Sequence, residues 1–265
     1  MIKSFAMIAL MPLVLFADVA PRAIAPDPLS ASEIRNRADQ AKSDYQQGLI
    51  LTDTDRATCN WYEAARFFRK AADAGYAPAQ YELAHLYADG LGVKRSLKQA
   101  VYWYGKAADQ GDAEAENNLG SLYAQGRGVH RSASRAAHWY TLAAAQKDPG
   151  ATSNLGVMYL RGQGVKRDPV HAFELFLRAA QMGYAAAQNY VAMMYANGQG
   201  VGRDYIWAYA WLNLAAKEIS GAERLRDEVG KRMTADDIER AESWQPRRPR
   251  RSQTHRKAAE VVGPV

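Results

Sequence analysis

Ala115-Glu116-Asn117-Asn118-Leu119-Gly120-Ser121-Leu122-Tyr123-Ala124-Gln125-Gly126-Arg127-Gly128-Val129 decides the fold, because the same phrase also begins at Ala79, Ala151 and Ala187, a constant spacing of 36 residues. Take each opening alanine as position 0. Position 4 is always apolar (Leu83, Leu119, Leu155, Val191) and position 5 always small (Ala84, Gly120, Gly156, Ala192). Position 8 is tyrosine (Tyr87, Tyr123, Tyr159, Tyr195), and Gly-x-Gly-Val closes each copy, led by Gly90, Gly126, Gly162 and Gly198. Further along, Ala100, Ala136, Ala172 and Ala208 precede Trp103, Trp139, Leu175 and Trp211, then paired alanines such as Ala107 and Ala108. One period upstream, Ala64, Phe67, Phe68, Ala71 and Ala72 continue the pattern in degenerate form.

Both halves of the repeat have helical spacing. Positions 0, 4, 5 and 8 fall on a single stripe of an α-helix, and Ala100, Trp103, Tyr104, Ala107 and Ala108 form another. Small residues at fixed points let helix backbones approach, and the large aromatics fill the space beside them. The glycines between the halves are free to adopt positive φ and end the first helix, with the following valine folding back onto the pair. No alternating β pattern occurs. A single helix pair cannot bury its stripe, so successive pairs must stack as antiparallel hairpins in an all-α solenoid.

Ala-x-x-x-Leu-Gly-x-x-Tyr-x-x-Gly-x-Gly-Val followed by Ala-x-x-Trp-Tyr-x-x-Ala-Ala resembles the Sel-one-like repeat, a relative of the tetratricopeptide repeat. The likeness is strong over 79–216 and weak over 43–78. Leu175-Phe176 in place of Trp-Tyr, and Lys147 where Gly111 and Gly183 recur, are its departures. The resemblance implies a right-handed superhelix, and a bacterial adaptor or scaffold with no chemistry of its own.

The ends extend this reading. Lys3 precedes an apolar run from Phe5 to Ala17, a secretory signal peptide (1–17) expected to be cleaved after Ala17, with an uncleaved anchor as the alternative. The run is shorter than the ~20 residues needed to span a bilayer. A periplasmic or secreted location follows. The Pro/Ala-rich stretch 18–32 reads as a linker and 33–78 as a degenerate repeat. Repeats then occupy 79–114, 115–150, 151–186 and 187–220. Capping helices fill 221–245, with Thr234-x-x-Asp237 starting the second, and a basic disordered tail spans 246–265.

Charge is concentrated at that tail. The formal net charge is +6, and Arg247, Arg248, Arg250, Arg251, Arg256 and Lys257 against Glu260 supply five of it. A solvated, disordered end is the reading for this segment, with a weak contact of Arg247, Arg248, Arg250 and Arg251 with an anionic surface as the alternative. Specific nucleic-acid recognition is not expected, because the repeated aromatics keep a core helical phase. Each Gly-x-Gly follows a helix, whereas a phosphate-cradling loop follows a strand. The five histidines form no metal-ligand pair, so no metal, cofactor or catalytic residue is assigned. Cys59 has no identifiable base beside it. The alternative functions are an envelope-acting hydrolase, β-lactamase-like or peptidoglycan-related, and a scaffold tethered by its tail to an anionic surface. The convergent titratable pair that the hydrolase requires is not found in the sequence.

Partner binding is assigned to the first helix of each pair, expected to line the concave groove. The stripe at positions 2, 6 and 10 comprises Tyr81, His85 and Asp89; Asn117, Ser121 and Gln125; Ser153 and Arg161, with Val157 between them; and Asn189, Met193 and Asn197. Amides, hydroxyls and scattered charges around small apolar patches suit an extended protein or peptide.

Overall fold

A computed structural model describes residues 30–52 and 59–244. The expected signal peptide and the basic tail lie outside the described residues, as does most of the linker. Among those described there are twelve α-helices and no strand. α1 (Ala31–Thr52) pairs with α2 (Trp61–Asp73), α3 (Ala77–Asp89) with α4 (Leu97–Ala108), and α5 (Ala113–Gln125) with α6 (Ala133–Ala145). α7 (Pro149–Arg161) pairs with α8 (Pro169–Gln181), and α9 (Ala185–Asn197) with α10 (Tyr205–Ala215). α11 (Ala222–Gly230) and α12 (Ala235–Ser243) both pack on α10 and close the array. From α2 to α10 each helix packs on those before and after it in the chain, the topology of a right-handed α-solenoid.

The same local chemistry turns every hairpin. Gly90, Gly126, Gly162 and Gly198 end the first helices in the left-handed conformation. Seventeen positions after each opening alanine, Ser96, Ser132, Asp168 and Asp204 cap the second helices with their side-chain oxygens. The backbone N–H of each cap also donates to the carbonyl of the repeated tyrosine, at 2.9 Å from Ser96 to Tyr87 and from Ser132 to Tyr123. Orphan groups at both helix ends are thereby satisfied within the turn. Arg95, Arg131 and Arg167 add a latch, donating Nε at 3.0–3.2 Å to the carbonyls of Ala88, Ala124 and Leu160.

Three columns of alanine explain how closely the pairs stack. Ala79, Ala115, Ala151 and Ala187 are wholly buried, as are the series Ala64–Ala208 and Ala71–Ala215 at intervals of 36. The fourth column, position 5, faces an aromatic or aliphatic side chain of the second helix. Gly120 lies against Tyr140 and Gly156 against Phe176, and Gly48 of α1 meets Phe68 in the same register. α1 is therefore the first helix of one more repeat, 36 residues ahead of α3. Its stripe continues in Tyr45, which packs on Phe68 as Tyr81 packs on Tyr104.

Position 1 carries a feature the sequence reading missed. Gln80, Glu116, Thr152 and Gln188 are polar yet buried. Gln80 donates Nε2 to the Ala72 carbonyl at 3.1 Å, and Gln188 to the equivalent Ala180 at 3.4 Å, tying each first helix to the pair before it. Glu116 has no amide to give and instead accepts from Gln146 Nε2 at 2.9 Å. A polar residue recurring at one fixed position inside a buried stripe was the available signal.

Candidate functional site

The first-helix stripe divides by depth. His85, Asp89, Gln125, Arg161, Met193 and Asn197 are exposed, while Tyr81, Asn117, Ser121 and Asn189 are half-buried. Ser153 does not belong to the expected surface: it is only 3% exposed. The cause is contact between neighbouring first helices. Asn154 Nδ2 donates to Asn117 Oδ1 at 3.1 Å, joining position 2 of one copy to position 3 of the next. One repeat on, that register sets the short Ser153 opposite Tyr190, whose ring stacks on Phe176 at 4.5 Å. Position 2 is thus a junction between repeats, and only longer side chains emerge from it.

Positions 6 and 10 open into clefts that repeat with the sequence. A cleft of about 650 Å³ between α3, α4 and α5 is lined by His85, Ala88, Asp89, Arg95, Leu97, Tyr104, Asn118, Ser121, Leu122 and Arg127. A second, of about 320 Å³, is lined by Thr52, Cys59, Trp61, Phe68, Glu82, His85, Leu86 and Leu91. Adding 36 to every one of these eight numbers gives a residue of the first cleft. A third, of about 200 Å³, lies between α9, α10 and α11, and its Met193, Ala196, Asn197, Leu212 and Val229 stand three periods after His85, Ala88, Asp89, Tyr104 and Ser121. The clefts are one structural element, reproduced where repeats meet on the first-helix side.

Their chemistry differs along the row. In the α3–α5 cleft His85 Nδ1 is 3.9 Å from Asp89, and Arg127 makes a single long bond of 3.4 Å to Gln125. Burial, reinforced by the Asp89 and Glu82 carboxylates, raises the Tyr104 phenol above its ordinary value, so it stays protonated. Burial likewise raises Glu82, with His85 opposing and the Glu114 and Asp112 carboxylates adding to the effect. The α9–α11 cleft is more apolar, with Met193 and Leu225 exposed at its walls.

Local hydrogen bonds hold the polar groups of the α3–α5 cleft in place. Ser121 Oγ accepts from Gln125 Nε2 at 2.9 Å, and no hydrogen bond links Ser121 to His85 among the described residues. Among those residues no group of three or more His, Cys, Asp or Glu could hold a metal ion. No described helix is long and apolar enough to cross a membrane.

Helical hairpins stacked at a fixed period, with a recurrent cleft at their junctions, define a repeat protein of the α-solenoid class. The chain belongs to the Sel1 repeat family, whose model matches residues 60–76, 77–112, 113–148, 149–184 and 185–218. The last four begin two residues before the alanines used above and keep the same period, and the first covers only the second half of a repeat. The chain is similar to c5321, a protective antigen present in uropathogenic Escherichia coli strains with an SLR fold, at 34% identity and a TM-score of 0.72. That match covers 80% of this chain but only 45% of the E. coli chain. A Sel1 repeat protein from Oxalobacter formigenes matches at 29% identity and a TM-score of 0.69, covering 82% of this chain and 86% of that one. A search of curated proteins found no match.

Proposed function

We propose that this protein is a non-catalytic adaptor of the bacterial cell envelope that holds an extended segment of a partner polypeptide along its first-helix, concave face. The observation that carries this reading is the recurrence of one cleft at three junctions, in the register of the 36-residue repeat and with different chemistry in each copy. A constant backbone that changes only its exposed side chains recognises a chain laid across it, residue by residue. The hydrolase alternative needs a nucleophile or water held by a base, and Ser121 and His85 are turned to other partners.

The test is site-specific photocrosslinking in the native cell. A benzoylphenylalanine placed at Gln125 or Arg161 on first helices should yield a discrete adduct. The same group at Lys106 or Thr141, exposed on second helices, should not. Equal labelling from both faces would remove the groove. The envelope location rests on residues 1–17 and is tested separately: a periplasmic or secreted form should begin at Asp18. Release of the protein from anionic membranes by salt, and by deletion of 246–265, would support the tail contact.

A further inference from the structure

We infer that the clefts act as separate side-chain subsites, and that the bound segment carries a carboxylate side chain and an aliphatic side chain about nine residues apart. This rests on the groove reading above and specifies its partner.

The α3–α5 cleft has more unused donors than acceptors. Arg95 spends only Nε on the Ala88 carbonyl, leaving its terminal nitrogens for the cleft. Arg127 is exposed and weakly tied, and Asn118 adds an amide. The one carboxylate, Asp89, is turned to His85. Two guanidinium groups converging on an open polar cleft match the acceptor geometry of an Asp or Glu side chain. Three junctions further along, the His85 position is Met193 and the Tyr104 position is Leu212, beside Leu225 and Val229. That subsite takes Leu, Ile or Met, whose burial there removes apolar surface on both sides from water.

The separation follows from the fold. Neighbouring first helices meet through side chains, as in the Asn117–Asn154 bond, while each packs mainly on the second helix between them, so their axes lie about 10 Å apart, at the wide end of helix packing. An extended chain advances about 3.3 Å per residue, or about three residues per repeat. His85 and Met193 are three repeats apart, hence about nine residues of ligand. Between the subsites Tyr190 and Phe176, stacked on one another, occupy the positions equivalent to Asn118 and Tyr104 respectively, which leaves that junction a poor side-chain receptor.

The experiment is selection of a random 14-residue phage-displayed library on the full-length chain, on Arg127→Glu and on Met193→Lys. Both substitutions lie at exposed positions and leave the stacking intact. Sequences with Asp or Glu about nine residues from Leu, Ile or Met should be enriched. Synthetic versions should lose about fivefold in affinity on Arg127→Glu and about tenfold on Met193→Lys. Arg127→Glu should also come to prefer Lys in place of the acidic residue, a reversal that general damage would not produce. Enrichment of binders lacking this pair, yet sensitive to the photocrosslinking positions, overturns the subsite assignment and leaves the groove standing. Failure to enrich any binder overturns both.

Discussion

A Cβ atom built on Gly120 would fall 2.8 Å from the Tyr140 ring, closer than such contacts are ever made. The small residue at position 5 is therefore a spacing element between the two helices of a hairpin. Gly120→Leu should cost about 1–3 kcal/mol through overpacking, lowering the Tm while leaving the far-ultraviolet dichroism helical. Gly105, inside α4 with nothing within 4 Å of an added Cβ, is the control. Gly105→Ala should raise stability by about 0.5–1 kcal/mol, since only helix propensity changes.

Lys147 adopts φ 67° at the turn where Gly111 and Gly183 stand in neighbouring copies. A side chain in the left-handed region costs about 1 kcal/mol or more that glycine does not. Lys147→Gly should stabilise the protein by about that amount in urea unfolding, with no change in the m-value. A loss of stability would mean that the Lys147 side chain has a role its exposed position does not show.

Glu116 occupies a site filled by glutamine in the copies before and after the central pair. Burial raises its carboxyl above the ordinary value, only partly offset by the hydrogen bond from Gln146. With the folded pKa above the unfolded one, the group favours folding below the unfolded pKa of about 4.5 and loses that contribution as pH rises through the folded value. Glu116→Gln places an amide where Gln80 and Gln188 reach a carbonyl eight residues back. The variant should be more stable than the parent at pH 7, with the advantage shrinking towards pH 4. Denaturant midpoints at the two pH values measure this directly.

Replacing His85, Gln125, Arg161 and Asn197 together with alanine should abolish the groove adduct without lowering the Tm, because all four are exposed. Each change should stay within about 0.5 kcal/mol. Tyr81, Asn117 and Asn189 are poorer choices. Tyr81 packs on Tyr104 with ring centroids 5.8 Å apart, and Asn117 bonds Asn154, so their loss would confuse binding with stability. Ser153→Ala should leave capture unchanged.

Much of the molecule was legible in the chain because its physics is local and repeated. The tyrosine at position 8 and the Gly-x-Gly turn answer requirements met within one hairpin and appear four times each, and the alanine columns recur four or five times. The capping box at Thr234 formed as its residues indicate. The candidate stripe was legible less completely. Heptad-like reasoning locates a face on one helix but says nothing about what the next helix covers, which is why Ser153 was placed at the surface.

Sequence alone determined that these helices exist, that they pair, and that the pairs repeat every 36 residues, since capping, helix termination and stripe burial act over a few residues. Only the tertiary structure decided which polar residues go inside, as Gln80 and Glu116 do, and that positions 6, 10 and 25 of one repeat meet positions 3 and 7 of the next around a cleft. Those outcomes depend on the angle and distance at which whole hairpins stack, a sum of many weak contacts that no single segment encodes.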